Sequence, residues 1–373
     1  MKKILVLIVF ASIGAGCYFI FDRYRSNSNS TIPLPYVFHN TVYKDINIEK
    51  APIVIIGDRL GYKLASFKNY MASRISTNLS KQIKIISLAQ KGEGLHRTLK
   101  KIKNLKRLPL VTIYLGGSEE TYEQRFKSKD INTITKNFKL YEDDRTKTAL
   151  MIFPSLAKFI YTPVDYKKYI KSITPDENEY SDFLVQQRNM IHFKLYEQEL
   201  NELFSYIKEH GSYLYALTQP INYSVPPKKS CSNSLDEITK KRFDEAIELV
   251  KKKDFKKAYS VSKDLVLIAN TNAKIFYVHG QIASSLGFNK EAQKALQMGV
   301  ALDCKQWRGS PIYNQILKKV GRKNEVLVFD FDKLLIKEKQ KNIVFQDDVY
   351  PQNLYYERVV NILSDRIRRL LKL

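Results

Sequence analysis

Five short apolar runs, each separated from the next by a longer stretch, constrain the fold of this chain more than any other feature. They read "APIVIIGD" from residue 51, "QIKIISLA" from 82, "LPLVTIYLGG" from 108, "SYLYALTQPI" from 212 and "NEVLVFDFDKLL" from 324. Between them lie helix-like segments: "FKNYMASRISTNL", the basic "GLHRTLKKIKNLKR", and a helical stretch from about Ser155 to Glu209. A closing helix is expected over Tyr355 to Leu373. Near-continuous apolar strands with helical spacers predict an α/β protein with a doubly wound, mainly parallel sheet covered on both faces. At 373 residues the chain is long enough for more than one core.

The span between the fourth and fifth strands has a different pattern. Phe243 and Tyr277, Ala246 and Gly280, and Ala258 and Ala292 are each 34 residues apart. That period, with small residues where two helices cross, resembles the tetratricopeptide repeat and implies a peptide- or protein-binding unit. A helical hairpin with chance spacing is the alternative. Two repeats are fewer than such a unit needs to stand alone, so it is expected to dock on the α/β domain. The predicted organisation is an α/β domain over 51–225 and 306–373, interrupted by a helical insertion at 228–305.

The amino terminus predicts export. Lys2 and Lys3 precede an uncharged apolar run from Ile4 to Phe21, and 22–50 reads as a polar, proline-punctuated tether. Residues 1–21 read as a membrane anchor, with lipidation at Cys17 or simple cleavage as alternatives. Each reading puts the remaining chain on the exported side of the cytoplasmic membrane, in a periplasm or at the cell surface. Cys231 and Cys304 would then meet an oxidising environment and are disulfide candidates at the two ends of the insertion; two unrelated buried thiols are the alternative. The net charge of +24 predicts an anionic partner, such as an envelope polymer or acidic lipid, or else only a solvated basic surface. No nucleic-acid-binding motif accompanies the charge, and the leader argues against nucleic acid.

Three glycine-marked turns follow the first three strands: "GDR" at 57–59, "KGEG" at 91–94 and "GGSEE" at 116–120. An acidic turn, "QDDVYP", precedes the last helix. In this order the blocks resemble the SGNH (GDSL-type) hydrolase family of esterases and acyl hydrolases over about 51–225 and 306–373. The resemblance implies a nucleophile after the first strand, an oxyanion hole completed by a glycine and an asparagine after the second and third, and an Asp-x-x-His base pair before the last helix. Gly57, Asp58, Gly92, Gly116 and Asp347 match those blocks. Arg59 stands in the serine position, Ser118 in the asparagine position and Tyr350 in the histidine position.

Those departures remove the chemistry. A guanidinium stays protonated and has no usable lone pair, and a phenol is a poor base near pH 7. The five histidines, His39, His96, His192, His210 and His279, offer no substitute, since none lies at a strand-end turn with an aspartate. Arg59, Ser118, Glu119, Glu120, Asp347, Asp348 and Tyr350 are expected to converge, with Arg59 paired to Glu119, Glu120 or Asp347; Asp58, Arg59, Ser118, Glu119, Glu120 and Asp348 are the candidate binding residues. The expected function is a non-catalytic envelope protein that binds a protein or glycan. The alternative is an ester hydrolase or O-acyltransferase using Ser118 as a displaced nucleophile. No cofactor and no metal ion are expected.

Overall fold

β1 (Ile53–Gly57), β2 (Ile85–Ser87), β3 (Val111–Leu115), β4 (Tyr213–Leu217) and β5 (Leu327–Phe329) form one sheet in the order β2-β1-β3-β4-β5. Every neighbouring pair is parallel. The computed structural model describes residues 14, 16, 51–77, 83–122, 125–164, 181–231, 235–338 and 343–371. Except for Gly14 and Gly16, the expected anchor and tether, Cys17 included, lie outside the described residues. Among the described residues no helix is long and apolar enough to cross a membrane.

The alternation expected of a buried strand decides which helices cover which face. Ile53 and Ile55 of β1 join a core with α1 (Arg59–Ala65), α2 (Lys68–Ile75), α13 (Phe331–Glu338) and α14 (Asn353–Leu371). Val54 and Ile56 point to the other face and pack with α3 (Leu95–Lys103), α7 (Asp182–Glu209) and α12 (Pro311–Lys323). The strands turn outward from β1 in both directions, so the chain reverses between β1 and β3. In doubly wound sheets that switch point opens the ligand crevice at the carboxyl ends of the strands.

Two element boundaries differ from the sequence expectation. The long helix begins at Asp182, capped by the Ser181 side chain, rather than running continuously from Ser155. The fifth strand stops at Phe329, because "FDKLL" winds into α13, where Phe331 and Leu335 fall on one buried face. Among the described residues the chain forms two compact units, one with 125–164 and a second with 51–122 and 181–371. The first holds α4 (Ile131–Glu142), α5 (Asp144–Ile152) and the short α6 (Ala157–Ile160). Within it, the Asn137 amide closes a loop through two hydrogen bonds with the Thr162 backbone, at 2.9 and 3.1 Å.

The helical stretch proposed as an insertion belongs to the second unit, with the sheet. It consists of α8 (Glu237–Lys251), α9 (Phe255–Ile268), α10 (Ala273–Ser285) and α11 (Asn289–Ala301), each packed on the next. Ala246, Ala258, Gly280 and Ala292, the small residues of the 34-residue pattern, are all buried. A Cβ at Gly280 would lie 2.7 Å from Leu296 Cγ, so the small residue permits the close approach of α10 and α11. Leu296 and Val300 pack with Ile221 and Tyr223, which docks these helices on the sheet domain. Where the chain leaves and re-enters, Ser230 and Asp303 form an antiparallel bridge, and Cys231 and Cys304 are disulfide-bonded with Cα atoms 5.9 Å apart.

Candidate functional site

The crevice begins at Gly57, which adopts φ +133°. A Cβ there would sit 1.9 Å from the Leu115 carbonyl oxygen, so only glycine lets β1 turn against β3. The next residue, Asp58, caps α1: its Oδ1 accepts the Leu60 N–H at 2.9 Å. Its other oxygen, Oδ2, accepts both the Ser118 N–H at 2.6 Å and the Ser118 hydroxyl at 2.8 Å. Asp58 thus ties the ends of β1 and β3 together. Burial pushes its carboxyl above the usual range, against the opposing effect of these hydrogen bonds and of Arg59.

Arg59 is the first residue of α1. Its Nε donates to Ser118 Oγ at 3.3 Å and lies 3.8 Å from Glu119 Oε1, while Nη2 donates to the Trp307 carbonyl at 2.8 Å. Glu119 makes a more telling contact. Its Oε2 accepts two backbone N–H groups, from Arg59 at 3.1 Å and from Gly92 at 2.8 Å. Two convergent backbone donors are the usual means of holding a developing oxyanion, and here the protein's own carboxylate lies between them. Glu119 is buried, and its carboxyl is pushed up to about 7, chiefly by burial and then by the charge of Asp58, with Arg59 and the two N–H groups opposing.

The remaining expected residues divide. Tyr350 feels the charges of Arg59, Glu119, Asp58 and Asp347, and burial pushes its phenol above the ordinary value. Asp347 turns back on its own loop: its Oδ1 accepts the N–H groups of Val349 at 2.8 Å and Tyr350 at 2.6 Å, and it stays exposed. A tight Asx-type turn therefore uses the carboxylate expected to reach Arg59. Asp348 is likewise exposed in that turn.

Glu120, adjacent to Glu119, points elsewhere. Its Oε1 accepts the Leu95 N–H at 2.9 Å, at the start of α3. It shares a buried cluster with His96 and Glu199, whose donor atoms lie within 4.8 Å of one another. These three are the residues among those described whose chemistry suits a metal ion. The sequence reading missed His96 because its neighbours are glutamates contributed by a strand-end turn and by a helix about a hundred residues away. A fourth constellation, Ser262 Oγ to His279 Nδ1 at 2.9 Å and His279 Nε2 to Glu291 Oε1 at 3.0 Å, joins α9, α10 and α11. Its serine is buried and also donates to the Tyr259 carbonyl at 3.1 Å, so this set packs helices together.

Beside Arg59 opens a cavity of about 170 Å³, with Ser118, Glu119, Arg188, Lys229, Lys305 and Trp307 in its wall. Gly92 and Asp347 are not part of the lining. The crevice is thus closed over the two backbone donors and open next to them. Set against known proteins, the chain matches no protein-family model and no curated protein sequence.

Proposed function

We propose that this chain is an SGNH-hydrolase-like binding module, exported and held at the membrane through residues 4–21, that lacks serine-esterase turnover. Its partner is a protein or an anionic envelope polymer, engaged beside the old nucleophile position and over the tetratricopeptide-like helices. The observation that carries this reading is the Glu119 carboxylate between the N–H groups of Arg59 and Gly92. An acyl-transfer intermediate would place its oxyanion on those donors, and a resident carboxylate both blocks the position and repels the charge. Arg59 supplies neither a nucleophile nor a base, and the Tyr350 phenol is pushed further from useful basicity. The parallel sheet order and the strand-end position of the glycine turns support the family likeness. A fluorophosphonate probe and short acyl esters test the reading: no labelling and no turnover are expected from the wild-type chain or from Glu119→Ala.

One observation favours a second reading. Ser118 Oγ donates to Asp58 Oδ2 at 2.8 Å and borders the cavity, so a serine and a carboxylate acceptor already face each other. An ester hydrolase or O-acyltransferase would use Ser118 as nucleophile and Asp58 as base, with Arg59 beside the hydroxyl. Probe labelling that disappears in Ser118→Ala would establish this reading in place of the first.

A further inference from the structure

We infer that the cavity beside Arg59 is a binding site for a single oxyanion group, a phosphate or a carboxylate, carried by a larger partner; the inference rests on reading the chain as a binding module. Among the described residues, Arg59, Arg188, Lys229 and Lys305 line this space with one carboxylate, Glu119. That carboxylate is held by two backbone N–H groups at the edge of the crevice. Guanidinium and ammonium groups around one concave space recognise oxyanions, and the low-dielectric walls concentrate their field. At about 170 Å³ the cavity falls below the roughly 300–1,000 Å³ typical of whole small-molecule sites. It suits one anionic group, with the remainder of the partner outside.

The wall is assembled in advance. Buried Asp303 accepts the backbone N–H groups of Lys228 at 3.0 Å, Lys229 at 3.2 Å and Lys305 at 3.3 Å, and the Trp307 indole N–H at 3.2 Å. The Cys304 N–H donates to the Lys229 carbonyl at 3.1 Å, and its sulfur is bridged to Cys231. Lys229 and Lys305 come from opposite ends of the helical insertion, and this staple holds them on one wall. The bond from Arg59 Nη2 to the Trp307 carbonyl ties that wall to the β1 turn. Lys229 also pairs with Asp182 at 2.9 Å, a half-exposed bridge that an incoming oxyanion replaces at little cost. Preorganisation of this kind raises affinity by reducing what must be ordered on binding.

The test titrates inorganic phosphate, and separately acetate, into the full chain by calorimetry at low salt. One-to-one binding of at least one anion is expected, and the preferred anion identifies the group. Lys305→Glu should weaken it by about 10-fold or more, and Cys231→Ser with Cys304→Ser by about 3- to 10-fold. Lys294→Glu, the same charge change on an exposed position of α11, should leave it within about twofold. If Lys305→Glu fails to fold, Lys305→Gln with Arg188→Gln provides the same comparison. Absence of binding by both anions, or an equal loss in Lys294→Glu, overturns the site. Probe labelling separates the two claims: no anion binding and no labelling sinks the site alone, whereas labelling with anion binding retained sinks the binding-module reading alone.

Discussion

At the carboxyl ends of the strands, Asp58 and Glu119 are buried and their carboxyls are pushed up; in the helical unit, Asp236 and Asp254 cap α8 and α9 in the open and are pushed down. Both pairs accept backbone N–H groups at helix starts or turns. The difference is water. On the surface, the hydrogen bonds favour the charged form by more than desolvation opposes it, so the caps stabilise the fold by staying ionised. In the crevice, the loss of water outweighs the same kind of bonds. Asp332, between the two regions, follows the crevice: burial pushes it up to about 7 even though it accepts the Tyr223 hydroxyl at 2.8 Å. The crevice thus holds its carboxylates against the loss of water, while the caps of the helical unit keep theirs hydrated.

Glycine substitutions break the comparison most sharply. Gly57→Ala forces a Cβ against a carbonyl oxygen at a left-handed φ, and a loss above about 4 kcal/mol is expected in denaturant unfolding. Gly280→Ala meets chiefly the Leu296 side chain and gains helix propensity, so its loss should stay near 1 kcal/mol. Equal losses would show that the crevice has no stricter backbone demand than the helices.

Removing the disulfide tests how firmly the helical unit is joined to the sheet. Cys231→Ser with Cys304→Ser opens a loop spanning 73 residues and should cost roughly 4 kcal/mol in the chain-entropy model. If hydrogen exchange shows protection falling at 228–310 and not at β1 or β3, the two regions are separable.

The pH dependence should run in opposite directions. Glu119 has its carboxyl raised from 4.5 to about 7, so between those values the native state holds a proton that the unfolded chain has released. Stability from this group is therefore lost as pH rises from about 4.5 to about 7, by up to about 3 kcal/mol. Glu119→Gln should flatten that part of the profile, and an unchanged slope would refute the burial account. Asp236 and Asp254 behave oppositely, because their contribution is present above the ordinary carboxylate range and is lost as pH falls through their lowered values. Asp236→Ala should give the smallest effect of the set, a modest drop in thermal midpoint that vanishes in acid.

Much of this architecture was legible from local pattern. Apolar runs buried on two faces specify parallel strands, because such runs have nowhere else to go, and Ile53 to Ile56 divide between the two cores as that requires. The 34-residue spacing of small residues foretold helix crossings that the packing of Gly280 on Leu296 makes close. Chain order also determined that a permanent cation, Arg59, follows the glycine turn at the end of β1. The direction of each acidic side chain was decided by tertiary structure. Glu119 and Glu120 are neighbours of one residue type, yet one lies across the N–H groups of Arg59 and Gly92 and the other caps α3 near His96. Asp347 matched a block by spacing and then closed its own turn. Such outcomes depend on which donors the fold brings within about 3 Å and how much water it removes, and neither quantity is a property of the local sequence.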